Sequence, residues 1–403
     1  MFYLPTIGSR AEIEQGFAGL RPDLYQRMLR ELTEQAQLGD ELGYHSVNFT
    51  EHHFHIEGFE ISNNPVMLDL YIAMQTERIR VGQLGIVLPA ENPIRVAENI
   101  AMLDHMSGGR ANAGFARGYQ RRWVDTMAQQ AHGVRGVQPQ EHGAVDEANR
   151  AAFEECFHVI KRAWTEDMIS AQGDFWRIPV AGTPWNVEST TLYGGGIENG
   201  EVAQLGPVPK PLQKPHPPIF QPFASSERSI RWCAEEGITA ILPPLHPVLE
   251  QQFTDIYAEV SGREPGEGIA LLRDVVVAPT DEEAMALWME GPLFGFTSWF
   301  SPFGFDKGLP HPETGAMPDL LNDGLALVGS PSTVARQLEG LFNRLPSRWI
   351  FAWEWNGLIP HDKLMRSIEL FATEVVPKVT GGLEVPALND RSSTTDKVRS
   401  AHE

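Results

Sequence analysis

The chain has 403 residues, of which 42% are hydrophobic, so it can bury a full core and suits one large α/β domain. Its 32 Lys and Arg against 53 Asp and Glu give a net charge of −21, which disfavours binding to nucleic acid or to an anionic membrane. The sequence contains no apolar run as long as a membrane span, and its start lacks the basic and apolar segments of a secretory signal. Cys156 and Cys233 cannot form a disulfide framework, and we expect a cytoplasmic protein.

Strands and helices are predicted to alternate along the chain. Strands are predicted at 1–8, 46–50, 79–89, 110–118, 217–223, 237–244, 269–278 and 349–355. Helices are predicted at 24–42, 65–76, 93–106, 146–165, 225–237, 280–289, from 331 onward and at 362–376. Eight such units predict a (β/α)8 TIM barrel, with an open doubly wound sheet as the alternative. No G-x-G-x-x-G follows the first strand, which disfavours a Rossmann dinucleotide site.

Two insertions interrupt this alternation. Residues 172–217, after strand four, are rich in Gly and Pro, and residues 291–324, after strand seven, are rich in Phe and Trp. The aromatic insertion could cover an apolar pocket and exclude water from it, or it could pack outside the barrel or against another subunit. We predict a single barrel domain over residues 1–380 and a disordered polar tail at 381–403.

The stretch TEHHFH, residues 50–55, follows the second predicted strand. Barrel enzymes place their active sites at the carboxyl ends of the strands, and imidazoles titrate near neutral pH. Strand alternation would put His53 and His55 on one face and His52 on the other, so a single site would use only some of them. We expect His52 to handle protons. A histidine bonded within the barrel wall is an alternative, as is a metal site through His53 and His55, for which the later strand ends offer only His246 as a partner.

A second group of residues predicts an anion site. Arg117 closes the fourth predicted strand, and Ser225, Ser226 and Ser229 begin the helix after the fifth. A helix start presents unpaired N–H groups and a partial positive charge, and an arginine adds a charge-assisted contact. These residues together suit a phosphate group. The alternative is that Ser225 or Ser226 only caps the helix.

The joint pattern of EHHF, MSGGR and RG, at these separations, resembles the bacterial luciferase-like flavin monooxygenases. The likeness is strong over residues 1 to about 165, in VNFTEHHFHIEGF and in the stretch from NNPVMLDL to RANAGFARG. It continues weakly through SSERSIRWCAEEGI and VGSPSTVARQL. It implies a (β/α)8 barrel that uses reduced FMN, supplied by a separate flavin reductase, and O2. A C4a-peroxyflavin would then oxygenate a small apolar substrate by hydroxylation or Baeyer–Villiger oxidation, without a metal.

The resemblance also assigns roles to residues. His52 matches the histidine beside the flavin, and the implied cofactor-binding residues are Glu51, Gly85, Arg117, Ser225, Ser226 and Ser229. Gly85 falls where the family often has a non-proline cis peptide near the isoalloxazine ring. We further expect His53, Phe294 and Trp299 in the substrate pocket. Luciferase has a reactive cysteine where this chain has Ala116, which indicates a different substrate.

The family commonly pairs through the side of the barrel, so we expect a homodimer. An oxidoreductase that transfers hydride from the deazaflavin F420 is the main alternative on this fold. Its long anionic tail would favour a basic rim, which the net charge of −21 disfavours. A metal-dependent hydrolase and a non-catalytic flavin-binding barrel are the remaining alternatives.

Overall fold

The computed structural model describes residues 1–309, 320–321 and 323–380. The predicted tail at 381–403 and residues 310–319 and 322 of the aromatic insertion lie outside the described residues.

Eight parallel strands close into a barrel. The strands are β1 Phe2–Tyr3, β2 Ser46–Phe49, β3 Arg80–Gln83, β4 Ala111–Ala116, β5 Ile219–Gln221, β6 Thr239–Leu242, β7 Ile269–Val277 and β8 Trp349–Trp353. Each strand pairs in parallel with the next. Phe2 of β1 also pairs with Trp353 of β8, and this pairing closes the ring. The predicted (β/α)8 barrel is confirmed, and the open sheet is wrong because the first and last strands are paired.

Helices pack around this ring, most of them where the sequence pattern predicts. The main helices are α1 Pro22–Leu42, α2 Pro65–Ala73, α3 Pro93–Met106, α4 Arg121–Ala131, α5 Ala144–Thr165, α6 Glu227–Glu236, α7 Pro247–Ser261, α8 Asp281–Glu290, α9 Pro331–Arg344 and α10 His361–Leu370. The start of α3 shows why the boundaries were predictable: Asn92 caps the helix by accepting from the backbone N–H groups of Ile94 and Arg95. Among the described helices, none has the length and apolar character needed to cross a membrane.

Several elements were not predicted. One of them is helix α7, which lies between β6 and β7, where we expected only a connection. Helix α4 follows β4 directly, where we expected only a connection to α5. A short strand, Ala326–Gly329, pairs with residues 274–277 of β7. It forms because β8 pairs only with residues 270–274 of β7, which leaves the far half of this long strand with an open edge.

The aromatic insertion lies across the carboxyl ends of the strands in its described part. Phe300 meets Trp353, at the end of β8, edge to face with ring centroids 5.1 Å apart. Phe305 meets Phe223, which follows β5, at 5.7 Å, and Tyr119, which follows β4, at 5.0 Å. These contacts place the segment over the barrel mouth, as the lid interpretation requires. The other insertion contains two small hairpins and the helix Glu188–Tyr193.

Candidate active site

A cavity of about 430 Å³ opens at the carboxyl ends of the strands, a size that suits a small-molecule ligand. Of the residues predicted for the site, its wall includes Glu51, His52, Gly85, Arg117, Ser225, Ser226 and Ser229. These come from the loops after β2, β3, β4 and β5, so residues far apart in sequence meet in one place. Apolar walls are supplied by Leu4, Val87, Phe300 and Phe305, among others.

His52 lines this cavity and is only 8% exposed. Burial lowers the pKa of His52 to about 3, so the side chain is a neutral imidazole at physiological pH. Its Nε2 is 3.5 Å from Oε1 of Glu60, and its Nδ1 has no hydrogen-bond partner among the described residues. A buried ring nitrogen without a partner is costly, and a bound ligand could satisfy it.

The three histidines do not follow the predicted strand alternation. Strand β2 ends at Phe49, so residues 51–55 form a loop in which alternate residues need not share a face. His52 and His55 lie together, with ring centroids 5.5 Å apart, and both face Glu60. His53 instead bonds to Oε1 of Glu51 at 3.1 Å. The expectation that His53 and His55 share a face is therefore wrong.

Glu51 is fixed by two bonds. Besides its contact with His53, its Oε2 accepts from the backbone N–H of Val87 at 2.7 Å. The carboxylate thus ties the histidine loop to the segment that follows β3. Glu91, nearby, has its pKa raised to about 7 by burial and by the negative charge of Glu51. His53 packs on Trp123, with ring centroids 4.9 Å apart, and is not part of the cavity wall.

Gly85 is required by close packing of the backbone. A Cβ built on Gly85 would lie 2.8 Å from the carbonyl carbon of Gly114 and from the amide nitrogen of Phe115, both on β4. The peptide bond between Leu84 and Gly85 is cis, as the resemblance led us to expect at this position. Gly85 is therefore explained by the close approach of the segment after β3 to the backbone of β4, which leaves no room for a Cβ atom.

One group of residues in the cavity wall is suited to binding anions. Ser226 caps α6: its Oγ accepts from the backbone N–H of Ser229 at 3.3 Å and donates to Oγ of Ser229 at 3.0 Å. Ser225 precedes the cap and lines the cavity. Arg117 reaches the same region from the end of β4, where its Nη1 donates to Oδ1 of Asp146 at 2.5 Å. The predicted phosphate-site residues are thus brought together.

Sequence reasoning missed two further arginines in this group, Arg150 and Arg228. Arg150 is only 4% exposed, and its Nε has no hydrogen-bond partner in the part of the chain that the structure describes. Burial, together with the positive charges of Arg117 and Arg228, lowers the pKa of Arg150 to about 10. Such crowding of cations favours an anion between them. The sequence does contain one indication that Arg150 faces inward: it lies on the same face of α5 as Phe153, which packs inward.

Like His53, the other two residues predicted for the substrate pocket, Phe294 and Trp299, lie outside the cavity wall. Phe294 packs on Phe59 with ring centroids 6.2 Å apart, and the guanidinium of Arg10 lies 4.4 Å from its centroid. Trp299 stacks on Phe59 at 5.0 Å and donates from Nε1 to Oε2 of Glu60 at 2.7 Å. The residues of this segment that do line the cavity are Phe300 and Phe305.

The ring nitrogens of His52 and His55 and the carboxylate of Glu60 lie within 4.8 Å of one another. Hydrogen bonds account for most of these atoms: Glu60 accepts from Tyr119, Gln120 and Trp299. Both ring nitrogens of His55 face protein oxygens, those of Phe59 and Gln120. We therefore assign no metal to this group.

Comparison with known proteins decides the family. The family model for luciferase-like monooxygenases matches residues 15–348. The chain belongs to the luciferase-like monooxygenase family. As a luciferase-like monooxygenase, the protein is a flavin-dependent monooxygenase, and the resemblance carried by EHHF, MSGGR and RG is confirmed.

Several named relatives of this luciferase-like monooxygenase are oxygenases. It is 28% identical over 371 residues to limonene 1,2-monooxygenase of Rhodococcus erythropolis, covering 90% of this chain and 84% of the relative. It is 25% identical over 371 residues to 3,6-diketocamphane 1,6-monooxygenase of Pseudomonas putida, covering 86% and 92%. Over 283 residues it is 28% identical to the oxygenase component of the flavin-dependent trigonelline monooxygenase of Acinetobacter baylyi, covering 68% and 67%.

Solved structures share the fold of this luciferase-like monooxygenase. The oxygenating constituent of 3,6-diketocamphane monooxygenase from Pseudomonas putida, in complex with FMN, aligns with a TM-score of 0.72 and 21% identity over 94% of this chain and 97% of that one. An F420-dependent secondary alcohol dehydrogenase aligns with a TM-score of 0.58 and 14% identity over 87% and 95%. These likenesses concern the barrel and do not choose between the two cofactors.

Proposed function

We propose that this protein is the oxygenase component of a two-component system, which takes reduced FMN from a separate reductase and uses O2 to oxygenate a small apolar substrate. The observation that supports it best is that one cavity is lined both by His52 and by a group of anion-binding residues, Arg117, Arg150 and the capped start of α6. This combination suits a ligand with an anionic tail and a reactive head.

The residues present fit a flavin mononucleotide. Four polar atoms of the cavity residues have no hydrogen-bond partner among the described residues: Oγ1 of Thr50, Nδ1 of His52, Nε1 of Trp123 and Nε of Arg150. Arg150, Arg117 and the N–H groups at the start of α6 would hold the phosphate. Bound reduced flavin supplies the electrons that activate O2 for transfer to the substrate.

His52 is the residue we propose to act on the bound oxygen species. As a neutral imidazole it can donate or accept one hydrogen bond at Nδ1, for which the described residues offer no partner. Phe300 and Phe305 cover the cavity from the aromatic segment. They exclude water from this region, which prevents the activated oxygen from being lost as hydrogen peroxide.

The lining favours an apolar substrate. A smaller cavity of about 180 Å³ adjoins the first and shares Phe223, Phe300 and Phe305 with it; Leu245, Phe296 and Trp353 supply further apolar walls. Both hydroxylation and Baeyer–Villiger oxidation are compatible with these walls. Homodimer formation remains an expectation from the family.

The test measures cofactor binding and coupled oxygenation. Under anaerobic conditions we expect reduced FMN to bind the protein, as measured by calorimetry, and F420 to bind more weakly. With a flavin reductase, NADH and air, limonene and 3,6-diketocamphane serve as apolar probes and the zwitterionic trigonelline as the contrast. We expect oxygenated product from an apolar probe, and a His52→Ala variant that releases hydrogen peroxide in place of product. Tight F420 binding without FMN binding would overturn the proposal.

A further inference from the structure

Glu60 is an unusual residue in the wall behind His52. Its backbone has φ 51°, in the left-handed region that a residue other than glycine occupies only when its surroundings hold it there. The side chain is 2% exposed, and none of its described partners is a lysine or arginine. A buried carboxylate normally needs a cation or a proton. His52 and His55 are the groups in contact with it that can supply one.

The carboxylate of Glu60 lies between the two imidazoles. Its Oε1 is 3.5 Å from Nε2 of His52, and its Oε2 is 3.4 Å from Nδ1 of His55. These separations are longer than a good hydrogen bond, but catalytic bonds are often long before the reactants bind. The three groups thus form a row that ends at the unpartnered Nδ1 of His52 in the cavity wall.

The hydrogen-bond partners of His55 indicate that this row of three residues holds one extra proton. Nδ1 of His55 faces the carbonyl oxygen of Phe59 at 2.9 Å, and its Nε2 faces Oε1 of Gln120 at 2.5 Å. With the Gln120 amide in this orientation both oxygens are acceptors, so both ring nitrogens carry protons and His55 is an imidazolium paired with ionised Glu60.

The other consistent arrangement also contains one extra proton. If the Gln120 amide is turned over, its nitrogen donates to a neutral His55 and its oxygen accepts from a protonated Glu60. Burial raises the pKa of Glu60 and lowers the pKa of His55, so either charge alone is disfavoured. Retaining a single proton between the two groups satisfies the bonds of His55 to Phe59 and Gln120 and the bond between Glu60 and Gln120 in both arrangements.

Trp299 shields this proton from solvent. Its indole donates to the same Oε2 of Glu60, and its ring lies edge-on to His55 with centroids 5.1 Å apart. The titratable and charged groups around Glu60 are His52 and His55 on its own loop and Tyr119 after β4, with Arg122 against the outer side of the Trp299 ring and paired with Glu57.

We propose that His55, Glu60 and His52 form a proton relay, in which Glu60 and His55 share one proton at neutral pH and pass it to His52. In one passage, Glu60 gives the shared proton to Nε2 of His52, and His52 gives its Nδ1 proton to the bound reactant. Where the shared proton starts on His55, it first passes from Nδ1 to Oε2 of Glu60, and the carboxyl group turns to present it to His52. The net change is one proton moved from the pair of His55 and Glu60 to the reactant, which leaves His55 neutral and Glu60 ionised, with no change in oxidation state. Glu60 and His55 act through His52 and are positioning residues; the relay's use in catalysis rests on the proposed function.

The test begins with the ligand-free protein and does not depend on any flavin. Selective ¹⁵N-histidine and ¹³C-glutamate NMR at pH 7, after treatment with a chelator, reports the protonation of His55 and Glu60 separately. We expect one of the two to be protonated. If His55 is neutral while Glu60 is ionised, the relay is wrong. Stoichiometric metal in the purified protein that disappears in a His55→Gln variant would also overturn it.

Variants then separate the relay from a structural role. In Glu60→Gln we expect His55 to become neutral at pH 7, and turnover to fall by about tenfold to a hundredfold with an altered pH profile. The matched control is Glu34→Gln, which removes the exposed carboxylate that bonds His361 at 2.8 Å and should leave turnover and its pH profile unchanged. A Glu60→Gln protein with lower stability but an unchanged His55 state and pH profile would show that Glu60 is only structural. If Glu60→Gln does not fold, the wild-type spectra still decide whether the shared proton exists.

Discussion

Trp299 and Glu60 are separated by 239 residues of chain, yet the indole N–H of Trp299 donates to the carboxylate of Glu60 at 2.7 Å. The first residue belongs to the segment over the barrel mouth, and the second to the loop that follows His52. The same indole stacks on Phe59, with an angle of 18° between the rings. The position of the aromatic segment and the environment of the histidines are therefore coupled.

A Trp299→Phe variant tests this coupling. Phenylalanine retains a ring for Phe59 but leaves buried Glu60 with one donor fewer, which we expect to cost about 1–3 kcal/mol of unfolding free energy. The looser segment should also admit water and raise the fraction of turnover that ends in hydrogen peroxide. Chemical denaturation and a peroxide assay measure the two effects. The matched control is Trp185→Phe: Trp185 is 43% exposed, and its indole donates a hydrogen bond to Thr190. Equal changes in stability and peroxide release in the two variants would contradict the prediction.

We propose that the guanidinium of Arg117 binds the phosphate. In the structure this guanidinium already donates a hydrogen bond to the carboxylate of Asp146, at 2.5 Å. An anionic ligand must compete with this carboxylate for Arg117. We expect Asp146→Asn to bind FMN several-fold more tightly in calorimetry, because about 1 kcal/mol of competing interaction is removed. Glu147→Gln, which frees the more exposed Arg228, should change affinity less. Weaker binding in Asp146→Asn would instead mean that Asp146 positions Arg117.

Arg150 is predicted to recognise the phosphate of the cofactor specifically. Replacing it with glutamine should weaken FMN binding by about tenfold or more, since a charge-assisted bond contributes about 1.5–3 kcal/mol. Riboflavin has the same ring system and no phosphate, so its binding should change little. Fluorescence titration with both ligands measures the difference. An equal loss for FMN and riboflavin would assign Arg150 to the structure of the cavity instead of to the phosphate.

The sequence predicted those parts of the molecule that local rules determine. The barrel followed from alternating strands and helices, and the start of α3 followed from Asn92 and Pro93. The relation among the histidines was not predictable, because it depends on the chain leaving strand geometry after Phe49. Glu60 was missed for a different reason: a carboxylate in a loop gives no local sign that residues 120 and 299 will bury it.

Glu354, which follows β8, should make the stability of the protein depend on pH. It is buried, and its pKa is raised from an ordinary value near 4.5 to about 8, because burial, with a smaller contribution from the negative charge of Asp274, outweighs the opposing positive charge of the amino terminus. The folded state therefore binds a proton that the unfolded state has released between about pH 4.5 and 8. By linkage, this stabilising contribution is complete below pH 4.5 and is lost as the pH rises toward and through 8.

A Glu354→Gln variant should remove this dependence, because glutamine stays neutral at every pH. We expect it to match the wild type near pH 5 and to exceed it at pH 8 by on the order of 2–4 kcal/mol of unfolding free energy. Urea denaturation at pH 5, 6.5 and 8 measures the trend, with the surface variant Glu41→Gln as the control that should follow the wild type throughout. A constant difference between Glu354→Gln and the wild type across this range would mean that Glu354 is already ionised in the folded protein, with a counter-charge that compensates for its burial.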